Sequence, residues 1–158
     1  MQTDDLYNRF LEVIEALERE KVDYILIGGF AVVLYGMPRF TQDIDLFVKS
    51  KEDNIAKLQK ALYSVFEDES IYEITYTELQ NYPVIRFGSA EGFYIDILSK
   101  IGTAFSFENL RYEELEIEGH KIKIATPETL FKLKENTYRA IDQNDLMFLK
   151  DLINKRNK

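Results

Sequence analysis

A chain of 158 residues is long enough to bury roughly 70% of its unfolded surface, and we expect residues 1–158 to form one domain. Hydrophobic content of 46% and charged content of 30% are those of a soluble globular protein, and no apolar run approaches the ~20 residues needed to span a bilayer. The absence of cysteine excludes disulfides and thiolate metal sites, the lone His120 leaves no histidine cluster, and a net charge of −8 argues against a non-specific grip on nucleic acid.

Leu6, Phe10, Val13, Ile14 and Leu17 recur at helical spacing and predict an N-terminal amphipathic helix. The apolar run Tyr24-Ile-Leu-Ile27 reads as a buried strand. Gly28 and Gly29 then allow a tight turn with bare backbone, and Phe30 to Tyr35 form a short helix that stops at Gly36. A loop carrying Arg39 and Thr41 leads to a second strand, Asp43-Ile-Asp-Leu-Phe-Val48. Alternation along that strand sends Ile44, Leu46 and Val48 to the core and turns Asp43 and Asp45 to the opposite face. Two like charges held so close repel, and such pairs are tolerated where a divalent cation or a shared proton offsets the repulsion. Glycines without Cβ let main-chain N–H groups approach phosphate oxygens, and the start of the following helix favours anions. The pattern therefore points to a phosphate and metal site. With no thiolate or histidine cluster at hand the metal is held by oxygen, which favours Mg2+ or Mn2+.

Ser50 before Lys-Glu-Asp reads as the cap of a helix carrying Ile55, Leu58, Leu62 and Phe66. From Ile71 to Ser99 the chain is rich in Ile, Tyr, Val and Phe and reads as strands, with turns at Asn81-Tyr-Pro83 and Gly88 to Gly92. A hairpin joins Leu115-Glu-Ile117 to Ile122-Lys-Ile124 across Glu118-Gly119-His120, with His120 as a turn residue. Thr126 caps a helix with Pro127 at its first position and Leu130, Phe131 and Leu133 on its apolar side; a last helix carries Leu146, Phe148, Leu149 and Leu152. Residues 121–158 hold nine Lys or Arg against five Asp or Glu, a local +4 that leaves −12 on residues 1–120. That basic third either approaches a triphosphate or an acidic partner, or is a solvated helical face.

Gly28-Gly29, a short helix, Gly36-x-x-Arg39 and Asp43-Ile-Asp45 together resemble the signature of the DNA polymerase β-type nucleotidyltransferase superfamily. Its minimal members include lincosamide and aminoglycoside nucleotidyltransferases, MNT-type antitoxins and AbiEii-like toxins. The resemblance covers about residues 20 to 100 and implies a mixed α/β (α+β) core, a small twisted mixed sheet backed by helices. It implies a third acid in an apolar-Asp-apolar triplet, which Phe93-Tyr-Ile-Asp-Ile-Leu98 supplies as Asp96. It also implies that Asp43, Asp45 and Asp96 are catalytic and bind the metal. Gly28, Gly29, Arg39 and a C-terminal lysine would then carry the phosphate charge. Pro127-Glu-x-Leu130 followed by Lys134 and Arg139-x-x-Asp142 is similar to the end of minimal members and nominates Lys134 and Arg139 for the nucleotide; both are alternatively helix-end charges or partners of a nearby acid such as Asp142. Thr41 either donates its hydroxyl to the nucleotide or bonds only to the main chain. Two departures are visible. Gly29 stands where many members have serine, so a serine there is expected to be tolerated, and Thr41 stands where antibiotic-modifying members often have histidine.

The expectation is metal-dependent transfer of a nucleoside monophosphate from an NTP to an acceptor hydroxyl with release of pyrophosphate. The acceptor is a small molecule, a protein or a tRNA end. The rival class is a catalytically weak binding module, either half of a toxin–antitoxin pair with a small helical partner or a nucleotide sensor. The acidic start Met-Gln-Thr-Asp-Asp carries no signal peptide and leads to the expectation of a cytoplasmic protein without membrane contact. Most of the ten tyrosines and eleven phenylalanines are assigned to the core, with Tyr35 and Phe40 as candidates to cover a nucleobase.

Overall fold

The apolar stripe of the first segment folds as expected, and its five apolar residues are all buried. The computed structural model describes residues 3–135 and 140–158. In chain order it contains α1 (Thr3–Arg19), β1 (Tyr24–Ile27), α2 (Gly28–Leu34), β2 (Asp43–Val48), α3 (Glu52–Phe66), a 3-10 turn (Glu69–Glu73) and α4 (Tyr76–Asn81). There follow β3 (Ile85–Gly88), β4 (Tyr94–Leu98), β5 (Lys100–Ile101), β6 (Phe105–Ser106), a 3-10 turn (Phe107–Asn109), β7 (Tyr112–Ile117), β8 (His120–Ala125), α5 (Pro127–Lys134) and α6 (Ala140–Arg156).

Six strands form one mixed sheet in the order β3-β4-β2-β1-β8-β7, and β5 and β6 make a separate small ribbon. β1 is antiparallel to β2 and parallel to β8; β2 is parallel to β4, and β3 is antiparallel to β4. The fully buried β1 sits in the middle, as an uninterrupted apolar run requires. On one face α1 and α3 pack together, and Phe66 of α3 meets Phe87 at 5.0 Å and Phe93 at 5.9 Å. Alternation therefore turns the neighbours of those inward residues, Arg86 on β3 and Asp96 on β4, to the other face. Asn54, buried at 3% exposure, fastens α3 to the sheet: its amide donates to the carbonyls of Asp23 and Lys49 and its oxygen accepts from the Asp23 N–H.

Three local expectations change. The cap of α3 is Lys51, without a side-chain bond; Ser50 instead bonds Gln80, and Glu52 and Asp53 supply the acidic first turn. Residues 71–73 and 76–81 are helical rather than strand, with Ile74 and Thr75 linking the two helical segments. Asp68 accepts from Ser70 N at 2.9 Å and Thr75 from Glu78 N at 3.1 Å, so two caps and the Thr75-x-x-Glu78 spacing override the β-prone composition. His120 is a strand residue paired with Ile117, because the turn needs only Glu118 and Gly119, with φ of +49° and +82°. Positive φ at both central residues matches the right-handed twist of the flanking strands.

Candidate active site

Parallel pairing of β2 and β4 sets Asp45 directly beside Asp96 and Asp43 beside Tyr94. The three expected carboxylates thus come from neighbouring strands onto one face. Register adds a residue that the sequence reading did not single out. Arg86 of β3 lies opposite Asp96 and grips it with two bonds, Nε to Oδ1 at 2.8 Å and Nη2 to Oδ2 at 3.0 Å, while Nη2 also reaches Asp43 Oδ2 at 3.1 Å. One guanidinium bridges two of the acids and lies over the Tyr94 ring, 5.1 Å from its centroid. Period two within Ile85-Arg86-Phe87 would have put Arg86 on the solvent side of the strand. Only the strand pairing reveals what it faces.

Asp45 is partly buried. Burial, then the charges of Asp96 and Asp43, push its carboxyl up to about 7, and Lys134 pulls it back in part. Its side chain lies over Gly28, which the sequence places in a turn but which begins α2: a Cβ on Gly28 would collide with Asp45 Oδ2 and come within 2.8 Å of Cγ. Gly28 also has φ of +77°, so backbone and space both demand glycine there. Beside this contact is a cavity of about 170 Å³ lined by Gly28, Asp45, Lys134 and Asp142 on its polar side and by Ile27, Leu98, Ile101, Leu130 and Leu133 on its apolar side.

Lys134 is buried, with Nζ 3.0 Å from Asp142 Oδ1 and 3.2 Å from Asp145 Oδ2. Arg39 is bonded to an acid other than Asp43, Asp45 and Asp96. It forks onto the fully buried Asp145, Nε to Oδ1 at 2.9 Å and Nη2 to Oδ2 at 2.8 Å, and its guanidinium covers Gly29. Its charge is thus already offset by an internal acid. A serine at Gly29 would press its Cβ against this guanidinium, with Cζ at 3.1 Å, so a serine there requires the Arg39 side chain to shift. Thr41 Oγ1 donates to the Asp43 carbonyl at 3.3 Å and accepts from its N–H at 3.5 Å, the main-chain alternative. Arg139 lies outside the described residues. Tyr35 donates its hydroxyl to the Ala125 carbonyl and carries Arg156 over its ring, which commits it to packing, while Phe40 is half exposed.

The donor set suits a hard divalent ion. Every candidate ligand is a carboxylate oxygen, and two of them already converge on one cation, Arg86. Among the described residues no three acids or histidines are grouped closely enough to enclose a metal; the guanidinium stands between Asp43 and Asp96.

The six-stranded mixed sheet with its helices is a nucleotidyltransferase fold. It is shared with an antigenic nucleotidyltransferase-like protein from Paracoccidioides brasiliensis (TM-score 0.60, 20% identity, 96% of this chain and 78% of that one). It is shared too with the lincosamide antibiotic adenylyltransferase LnuA bound to lincomycin (TM-score 0.57, 18% identity, 90% and 95% covered). The antibiotic-resistance factor ANT(2'')-Ia is a third similar structure (TM-score 0.55, 13% identity, 97% and 86% covered). The chain belongs to the family described as nucleotidyl transferase of unknown function (DUF2204), whose signature matches residues 7–158. No curated protein matches the chain.

Proposed function

We propose that residues 1–158 act as one metal-dependent nucleotidyltransferase unit that moves a nucleoside monophosphate from an NTP to an acceptor hydroxyl. The observation that carries this reading is the ladder position of Asp45 beside Asp96, with Asp43 on the same face and Gly28 under the Asp45 carboxylate. Carboxylates, bare glycine backbone and a lysine-lined cavity then adjoin one another. Asp43, Asp45 and Asp96 would hold Mg2+ or Mn2+, which when bound supplies neutralisation of the triphosphate and polarisation of its phosphoryl oxygens. The Gly28-Gly29 main chain admits the phosphates at close range, and Lys134 contributes positive charge at the cavity floor. Arg39 serves the site by bracing Gly29 through Asp145. The acceptor oxygen attacks the α-phosphorus, the bond to the β-bridging oxygen breaks, and pyrophosphate departs with that electron pair. The acceptor proton passes to Asp96.

A second reading, a nucleotide-binding module without turnover such as a sensor or half of a toxin–antitoxin pair, draws support from the guanidinium that bridges Asp43 and Asp96. Both readings require the nucleotide to enter with its cation, because three carboxylates repel a bare triphosphate. Thermal unfolding tests this. NTP with Mg2+ at a hundredfold its dissociation constant should add ~2.7 kcal/mol of stability. Equal stabilisation by NTP in EDTA would contradict the proposed site.

A further inference from the structure

We propose that Arg86 is an internal stand-in for the metal, a tethered cation that occupies the Asp43–Asp96 position and that a divalent ion must displace. The inference rests on the reading of Asp43, Asp45 and Asp96 as a cation site. Its geometry is that of a competitor, not of a bystander. The guanidinium engages both Asp96 oxygens and one Asp43 oxygen, and an ion shared by Asp43 and Asp96 would take the place between them where it lies. Arg86 is also placed to leave. Its side chain is 53% exposed, and β3, which carries it, is an edge strand. Nothing in the core has to open for the exchange. Lys134, by contrast, is buried between Asp142 and Asp145 and has no such freedom.

Competition of this kind lowers the metal affinity of the nucleotide-free protein without altering the ligands. An exposed ion pair shifts an equilibrium by up to about fivefold, so two pairs on one guanidinium shift it on the order of tenfold. The effect is electrostatic at a half-exposed site and therefore weakens as salt rises. Arg86 also holds the acids in place when no ion is there, which limits the repulsion that their register creates.

Titration with Mn2+ alone, read from the electron paramagnetic resonance signal of the free ion, tests the proposal on the purified full chain at low salt. Arg86→Gln should bind Mn2+ on the order of tenfold more tightly than wild type, and 0.5 M NaCl should narrow the gap. Arg86→Lys, which keeps a charge but loses the fork, should fall between. Unfolding supplies a second readout: in EDTA Arg86→Gln should melt below wild type, and Mn2+ should raise its melting temperature by the larger increment. If wild type and Arg86→Gln bind Mn2+ equally well, or the variant binds less well, Arg86 is no competitor, although the carboxylate site stands. If neither binds Mn2+ at millimolar concentration, the cation site itself is refuted and the proposal with it. If metal affinity is unchanged and only NTP binding weakens, Arg86 is a phosphate ligand and the stand-in role is overturned.

Discussion

Asp45 carries the tension of the site in a single side chain. Its carboxyl is pushed from 3.8 up to about 7 by burial first and by Asp96 and Asp43 second. Between about pH 4 and 7 the metal-free folded state therefore favours a proton on Asp45 that the unfolded chain has released. The stability linked to Asp45 is fully present below about pH 4 and is lost as pH rises through about 7. Three units correspond to a few kcal/mol, at about 1.4 kcal/mol per unit. Asp45→Asn keeps the shape over Gly28 and removes the charge. In EDTA its unfolding free energy should lack this fall between pH 4 and 7, so that it equals wild type at pH 4 and exceeds it at pH 8. Urea unfolding across that range measures the difference. A variant less stable than wild type at pH 8 would make Asp45 a structural hydrogen-bond partner instead of a strained functional acid.

At the scale of elements, α6 reaches back to the start of α2. Asp145 is fully buried and pins Arg39, and Arg39 in turn covers Gly29. Gly29→Ser forces this assembly to give way and should cost about 1–3 kcal/mol, the usual range for overpacking. The cost should shrink in an Arg39→Ala background, because the colliding group is gone, and a double-mutant cycle on melting curves measures that coupling. Additive effects would show that Gly29 has room of its own. The glycines were legible as glycines after a strand, but the reasons for them were not, since Asp45 and Arg39 meet the turn only in the folded chain. Helical stripes, the fully apolar β1 and the Thr126-Pro127 cap were readable because their causes are local. Residues 71–81 were misread because Ile, Tyr and Thr suggest strand, whereas the caps at Asp68 and Thr75 decide the backbone. Arg86 was invisible for a different reason: its partners are fixed by the β3–β4 and β2–β4 registers, which join residues 86, 96 and 43.

Among the described residues, part of the uneven charge of the sequence is met internally. Lys121 and Lys123 stand opposite Glu116 and Glu114 in the β7–β8 ladder, Arg156 pairs with Glu113 at 2.8 Å, and Lys134 is shared by two buried acids. These four basic residues therefore serve the fold, and Lys134 among them also faces the cavity. No helix of the described residues is long and apolar enough to cross a membrane. The mixed sheet itself was legible through the family resemblance more than through periodicity, since a strand order that sets β8 beside β1 joins segments about a hundred residues apart. On the proposed reading this sheet presents Asp43, Asp45 and Asp96 for nucleotidyl transfer, and transfer of label is the direct measurement. Each of the four NTPs, labelled at the α-phosphate, is incubated with Mg2+, cell extract and either wild-type protein or Asp45→Asn, and labelled acceptor and pyrophosphate are counted. Wild type should move label from at least one NTP into an acceptor with one pyrophosphate released per transfer, and Asp45→Asn, folded by circular dichroism, should move none. Absence of transfer from every NTP, or equal transfer by Asp45→Asn, would contradict that reading.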